Sequence, residues 1–174
     1  EAGKSARDTS RHDEVWKIKD GLLTIAGGKL TTYRRMASRA MEEVCKNLGL
    51  KVETNQRTEE VVLPGGDIGK EFPEFQEEMT EKLTSQGVGL SAAERITWLY
   101  GSSTHELLRY GEDSPEWLPP LSSDIAAIKG EVKLAVEHEM ALTITDFMDR
   151  RSALLLFSTN HGRDAVEEVA QIMS

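Results

Sequence analysis

The sequence predicts a mainly α protein: a helical C-terminal domain over residues 67–174, preceded by a short β-hairpin and one helix over residues 1–49, with 50–66 as linker. Three observations carry this expectation. From Lys70 onward, apolar residues recur at helical spacing between capping patterns and Gly or Pro breaks. Near the start, "VWKIKDGLLTIA" reads as two strands around an Asp20-Gly21 turn. Between them, Pro64-Gly65-Gly66 in "EEVVLPGGD" forbids regular structure and marks the boundary.

Residues 1–14 read as loop. Val15 and Trp16 open one strand, Leu22–Ala26 form the next, and Gly27-Gly28 ends it. From Leu30 to Leu48, the residues Leu30, Tyr33, Met36, Ala37, Ala40, Met41, Val44 and Leu48 follow a 3.6-residue period, and Gly49 is a helix stop. Phe75, Met79 and Leu83 share a face of the first helix of the C-terminal domain, with Gly87 beyond it. Ser91–Glu94 is a capping-box pattern opening a helix through Ile96, Leu99 and Tyr100. Gly101 interrupts, and Ser103–Glu106 repeats the pattern before "ELLRYG". After the proline-rich "SPEWLPPLSS", a long helix is expected from about Asp124 to Ala141, with Ile125, Ile128, Val132, Ala135 and Val136 on one side. Thr143 caps the next, "ITDFMDRRSALLLF", and "GRDAVEEVAQIM" reads as a final amphipathic helix.

Composition narrows the class. Hydrophobic residues make up 39% and charged residues 29% of 174, as in an ordinary globular protein. No apolar run approaches the roughly 20 residues of a membrane span, and no secretory pattern opens the chain. Residues 1–49 carry 10 Lys+Arg against 7 Asp+Glu, and residues 50–174 carry 11 against 23, which together give the net −9. The acidic part argues against nucleic acid as a partner. The single cysteine, Cys45, excludes an internal disulfide framework, fits a reducing compartment, and reads as a buried small hydrophobe on a helix. The chain opens on a polar stretch without methionine, so an incomplete protein is expected.

Most chemical motifs fail on inspection. His105-Glu106 and His138-Glu139 would need second histidines at 109 and 142, where Arg109 and Leu142 stand. Four scattered histidines and one cysteine give no metal site, and His105, His138 and His161 read as surface or helix-end residues. There is no G-x-G-x-x-G, P-loop or G-x-S-x-G. The adjacent glutamate pairs Glu42-Glu43, Glu77-Glu78 and Glu167-Glu168 read as solvated faces.

One stretch stands apart: "LTIAGGKLTTYRR" places Gly27-Gly28-Lys29 where a strand turns into a helix. Two residues without Cβ allow a sharp turn and a close approach. The helix that follows leaves its first N–H groups without intrahelical partners, beside a lysine ammonium. Free donors at Lys29, Leu30 and Thr31 suit an anion or the electron-rich edge of a planar cofactor. A bare tight corner fits as well, with Thr31 and Thr32 as first-turn caps.

The stretch Gly27–Ala37, Gly-Gly-Lys-x-Thr-Thr-Tyr-Arg-x-x-Ala, resembles the flavin-contact signature of the FAD-dependent glycerol-3-phosphate dehydrogenases and alpha-glycerophosphate oxidases. "TSRHDEV", "LPGGD" and "EVKLAVEHEMALTITDFMDRRSALLLF" resemble further parts of that family, in order along the chain. The resemblance implies that residues 1–49 close a Rossmann-type FAD domain that is mostly absent from this chain, and that residues 67–174 form its helical cap. It implies oxidation of sn-glycerol 3-phosphate to dihydroxyacetone phosphate, with hydride passing to FAD and electrons to a quinone, or to oxygen in the oxidase branch. Cofactor contacts would come from Gly27, Gly28, Lys29, Leu30, Thr31 and Thr32. Lys29 and Arg11 are the catalytic candidates, each suited to the substrate phosphate, and the neighbouring His12 is a weaker one for the proton. Arg150 and Arg151 follow Asp146 and Asp149, which fits helix pairing or a docking contact with the flavin domain. Cytoplasmic location, peripheral to the membrane, and a possible homodimer are likewise implied by resemblance alone. Two other readings remain: residues 67–174 as a non-catalytic docking or assembly module, and residues 1–49 as a phosphate-binding loop of an unrelated fold.

Overall fold

The computed structural model describes residues 13–17, 21–51 and 57–174. The chain divides into two compact units, Glu1–Val61 and Val62–Ser174.

In the first unit, strands β1 (Asp13–Lys17) and β2 (Leu23–Gly27) pair antiparallel, with Val15 opposite Ile25 and Trp16 opposite Thr24. This pairing is the one expected of the two strands; Asp20 of the expected turn lies outside the described residues. A 3-10 turn over Leu30–Thr32 leads into helix α1 (Tyr33–Leu48). Gly49, in the left-handed region at φ 67°, ends the helix and donates its N–H to Cys45 and Lys46 carbonyls. The apolar stripe of α1 is only partly covered: Tyr33, Met41 and Leu48 are exposed, Met36, Ala40 and Val44 are half-buried, and no residue of α1 is buried. Cys45 is therefore half-buried rather than a core residue. Arg34 ties α1 to the turn at 57–59, donating from Nη2 to Thr58 Oγ1 at 2.7 Å, with Glu59 3.6 Å away.

The second unit begins with a tight turn. Gly66 N–H donates to the Leu63 carbonyl at 2.8 Å, and Gly65 has φ 84°. Pro64 and Gly65 are the residues a type II turn asks for at its two central positions. Helices α2 (Phe72–Ser85), α3 (Leu90–Tyr100) and α4 (Thr104–Asp113) follow. The expected α2 stripe is buried, with Phe75, Met79 and Leu83 at 2% exposure or less. Each contributes roughly 1.5–3 kcal/mol by leaving water. With Ala93, Ile96, Leu107, Tyr110 and Leu134 they form the first of two hydrophobic clusters. The start of α3 differs from expectation. Gly89, in extended backbone, is its N-cap, so Ser91 sits inside the first turn and caps nothing. At α4, Ser103 is the N-cap residue but makes no side-chain cap bond.

The long helix expected from Asp124 is corrected. Pro120–Ser122 (β3) and Ile125–Ile128 (β4) pair antiparallel around Ser123-Asp124, and α5 runs only from Lys129 to Glu139. Ile125 and Ile128 are spaced like helix neighbours, yet Ile125, Ala127 and Ile128 are buried from a strand. Glu131 fixes the switch. Its carboxylate accepts the Ile128 N–H at 2.7 Å, as a capping residue does in the first turn of a helix. It also pairs with the Arg95 guanidinium reaching over from α3. Glu131 is fully buried, and burial raises its carboxyl above the ordinary value against the opposing pull of Arg95. The same burial, with Glu131 alongside, pushes the Tyr100 hydroxyl well up.

The second cluster gathers Ile125, Val132, Ala135, Phe147, Met148 and Val169. Helix α5 contributes to both clusters, through Leu134 to the first and Val132 and Ala135 to the second. On its outer side, Lys133 Nζ lies 5.0 Å from the Tyr110 ring and 4.7 Å from the Trp117 ring. The single helix expected from Ile144 to Phe157 is broken. A π-helical turn over Asp146–Arg151 is followed by Ala153 at φ 53° and the short α6 (Leu154–Phe157). Thr143 caps this region as expected: Asp146 N–H donates to Thr143 Oγ1 at 3.2 Å, and Thr143 N–H donates back to the Asp146 carboxylate at 2.8 Å. The final helix, α7 (Val166–Met173), packs on α5, with Lys129 and Glu168 paired at 2.5 Å.

Candidate functional site

The corner between β2 and α1 is formed by backbone rather than by packing. Gly27 and Gly28 have φ of 89° and 79°, a region that side chains with Cβ rarely enter. Two such residues in succession turn the chain out of the strand, with Gly27 exposed and Gly28 half-buried. Lys29 returns to extended backbone (φ −112°, ψ 151°) and its side chain is exposed. Thr32 then closes the turn on Lys29. Its N–H and its hydroxyl both donate to the Lys29 carbonyl at 2.9 Å, and its Oγ1 accepts the Lys29 N–H at 3.2 Å.

This corrects one part of the expected donor set. The Lys29 N–H is not free; it is held by Thr32, whose hydroxyl is occupied in the same turn. Among the described residues, the Leu30 and Thr31 N–H groups have no partner. They point out of the start of a continuous 3-10 and α-helical run from Leu30 to Leu48, where the aligned peptide dipoles add partial positive charge. The arrangement is two unpartnered amides beside a glycine pair and a lysine. It fits a planar group with an electron-rich edge, because neither glycine carries a Cβ to hold such a group away.

The remaining candidates separate in space. Arg11 and His12 lie outside the described residues. Arg150 donates to Asp146 at 2.7 Å, the ordinary helix pair. Arg151 caps α5, donating to the Glu139 carbonyl at 2.6 Å and lying 3.4 Å from its carboxylate. His105, His138 and His161 are exposed, and His105 rests edge-on against Phe75. Among the described residues, no group of three or more His, Cys, Asp or Glu side chains is placed to hold a metal ion, and no helix is long and apolar enough to cross a membrane. Arg34 gave no sequence signal, because the Thr58 it grips lies 24 residues away.

Residues 56–174 match the family described as the C-terminal domain of alpha-glycerophosphate oxidase. The chain belongs to this family. Over its whole length it is similar to the aerobic glycerol-3-phosphate dehydrogenases of Staphylococcus epidermidis, at 35% identity, and Staphylococcus aureus, at 34%. It spans about a third of the length of these curated relatives (32%). Among solved structures it is similar to the glycerol-3-phosphate dehydrogenase from Bacillus halodurans in complex with FAD. That match has a TM-score of 0.70 and 31% identity, covering 92% of this chain and 33% of the other. The mainly helical fold of the alpha-glycerophosphate oxidase C-terminal domain is thus the fold seen here.

Proposed function

We propose that this chain is the C-terminal part of an FAD-dependent enzyme that oxidises sn-glycerol 3-phosphate to dihydroxyacetone phosphate and passes the electrons to a quinone, with oxygen as the alternative acceptor. The observation that carries this reading is the Gly27-Gly28-Lys29 corner, in a chain whose relatives are named aerobic glycerol-3-phosphate dehydrogenases. On this reading residues 1–49 close the flavin and substrate domain, 50–66 link, and 67–174 form the helical cap.

Gly27 and Gly28 would admit the flavin edge to the main chain, and the Leu30 and Thr31 N–H groups would hydrogen-bond it. The flavin, when bound, supplies a two-electron oxidant for the C2 carbon of the substrate. The start of the Leu30–Leu48 helical run favours negative charge at that edge. Lys29, exposed and on a fixed turn, would pair with the substrate phosphate or stand beside the reacting hydroxyl. Arg11 would add a bidentate phosphate contact. Cytoplasmic placement, peripheral to the membrane, and a homodimer belong to the same proposal and rest on family resemblance.

The test uses the full-length protein that carries this chain. Glycerol 3-phosphate, added without oxygen, should bleach the flavin absorbance. Lys29→Met should lower kcat/KM by about a hundredfold with flavin retained. Unchanged kcat/KM removes Lys29 from the site, and a protein that takes up no flavin overturns the reading as a whole. The clusters internal to residues 62–174 favour a second reading, a docking module without chemistry. That module alone would survive the second outcome.

A further inference from the structure

We propose that the Leu63–Gly66 turn is a releasable clasp: it fastens the incoming chain to the C-terminal end of α3 and opens locally while the helices stay folded. The contact is backbone against backbone. The Gly65 carbonyl accepts the Ser102 N–H at 2.9 Å. A Cβ on Gly65 would lie 2.7 Å from the Tyr100 carbonyl oxygen, and one on Gly101 would lie 2.0 Å from the Gly65 carbonyl oxygen. Both distances are too short for real atoms, so glycine is required on each side. Gly101 also adopts φ 51° and ψ −129°, which other residues avoid.

Side chains add little to this hold. Val61, Val62 and Leu63 are 64%, 59% and 78% exposed. Opening the turn therefore breaks one hydrogen bond to the helices and uncovers little apolar surface. Regions of that kind open well before a domain unfolds. The next fixed points along the chain are Ile68, packed on the first cluster, and Lys70, paired with Glu78 at 2.6 Å. Release at Gly65 thus frees about three more residues, adding roughly 10 Å of reach to the segment leading into the helical unit.

Amide hydrogen exchange of the 174-residue chain over a low-urea series tests the clasp. Gly101 N–H, which donates to the Thr97 carbonyl inside the α3 terminus, is the neighbouring control. Ser102 N–H should exchange about tenfold or more faster than Gly101 N–H, after correction for sequence, and without urea dependence. Gly65→Ala should speed Ser102 exchange further, by about tenfold, and hasten thermolysin cleavage at 61–63, with Gly101 exchange unchanged. Ser102 and Gly101 exchanging together with one urea dependence would overturn the proposal. So would a folded Gly65→Ala variant with unaltered Ser102 exchange. If that variant does not fold, the parent chain's two amides still decide.

Discussion

Residues 62–174 hold two hydrophobic clusters and every buried side chain among the described residues, whereas the described residues of 14–16 and 21–51 contribute none. Yet the corner with chemical promise lies in the coreless part. Its shape comes from two glycines, a threonine that binds the turn twice over, and the start of a helix. The helical unit is shaped instead by interlocking apolar faces. The contrast is between a segment fixed by local backbone chemistry and one fixed by packing, and substitutions should separate accordingly.

The largest expected effect is in the second cluster. Phe147→Ala removes a side chain at 0% exposure and should destabilise by about 3–5 kcal/mol, read as a lower urea midpoint in far-UV circular dichroism. Its counterpart Met41→Ala, on an exposed position of α1, should change stability by no more than about 0.5 kcal/mol. Equal losses for the two would erase the contrast between the units.

A smaller effect sharpens it. Thr143→Ala deletes the hydroxyl that accepts the Asp146 N–H and should cost about 1 kcal/mol. The loss belongs to the helical unit and should appear in thermal melts. No change in the melt would mean that the Thr143 hydroxyl contributes nothing to holding the π-helical turn.

The smallest effect is electrostatic and exposed. Lys70 and Lys82 hydrogen-bond Glu78 and hold its carboxyl down at about 2, against an ordinary 4.5. A depressed folded value means that the unfolded chain takes up the proton first as pH falls. The stabilisation is present above about 4.5 and is lost as pH falls toward about 2. The melting-temperature gap between the parent and Glu78→Gln should therefore narrow on acidification, and also in high salt. A gap independent of pH would show that these ion pairs contribute nothing to stability.

Much of the helical unit was legible because burial of an α-helix imprints its period on the sequence, as at Phe75, Met79 and Leu83. The β3–β4 hairpin is hidden from sequence because Ile125, Ile128 and Val132 copy that period, although both isoleucines lie on a strand and only Val132 on a helix. The switch from strand to helix after Ile128 is held by Glu131, whose partners Ile128 N–H and Arg95 are invisible to local spacing. The π-helical turn left no signal either. One extra residue per turn alters hydrogen bonding and not composition, and Ala153 enters the left-handed region without the glycine that would announce it. At the corner, Gly27-Gly28 was readable because few residues other than glycine reach those angles. The capture of the Lys29 amide by Thr32 was not, since a threonine in a first turn serves either as cap or as open donor.

The placement of Lys133 between Tyr110 and Trp117 has a practical consequence for optical work on this protein. Trp16 is 45% exposed and Trp98 70%, whereas Trp117 packs against the first cluster with an ammonium over its ring. Two of the three indoles already see water in the native state, so denaturation changes their surroundings little. Intrinsic fluorescence should then behave as a single-site probe of the seam between α4 and α5, with the other two emitters as a near-constant background.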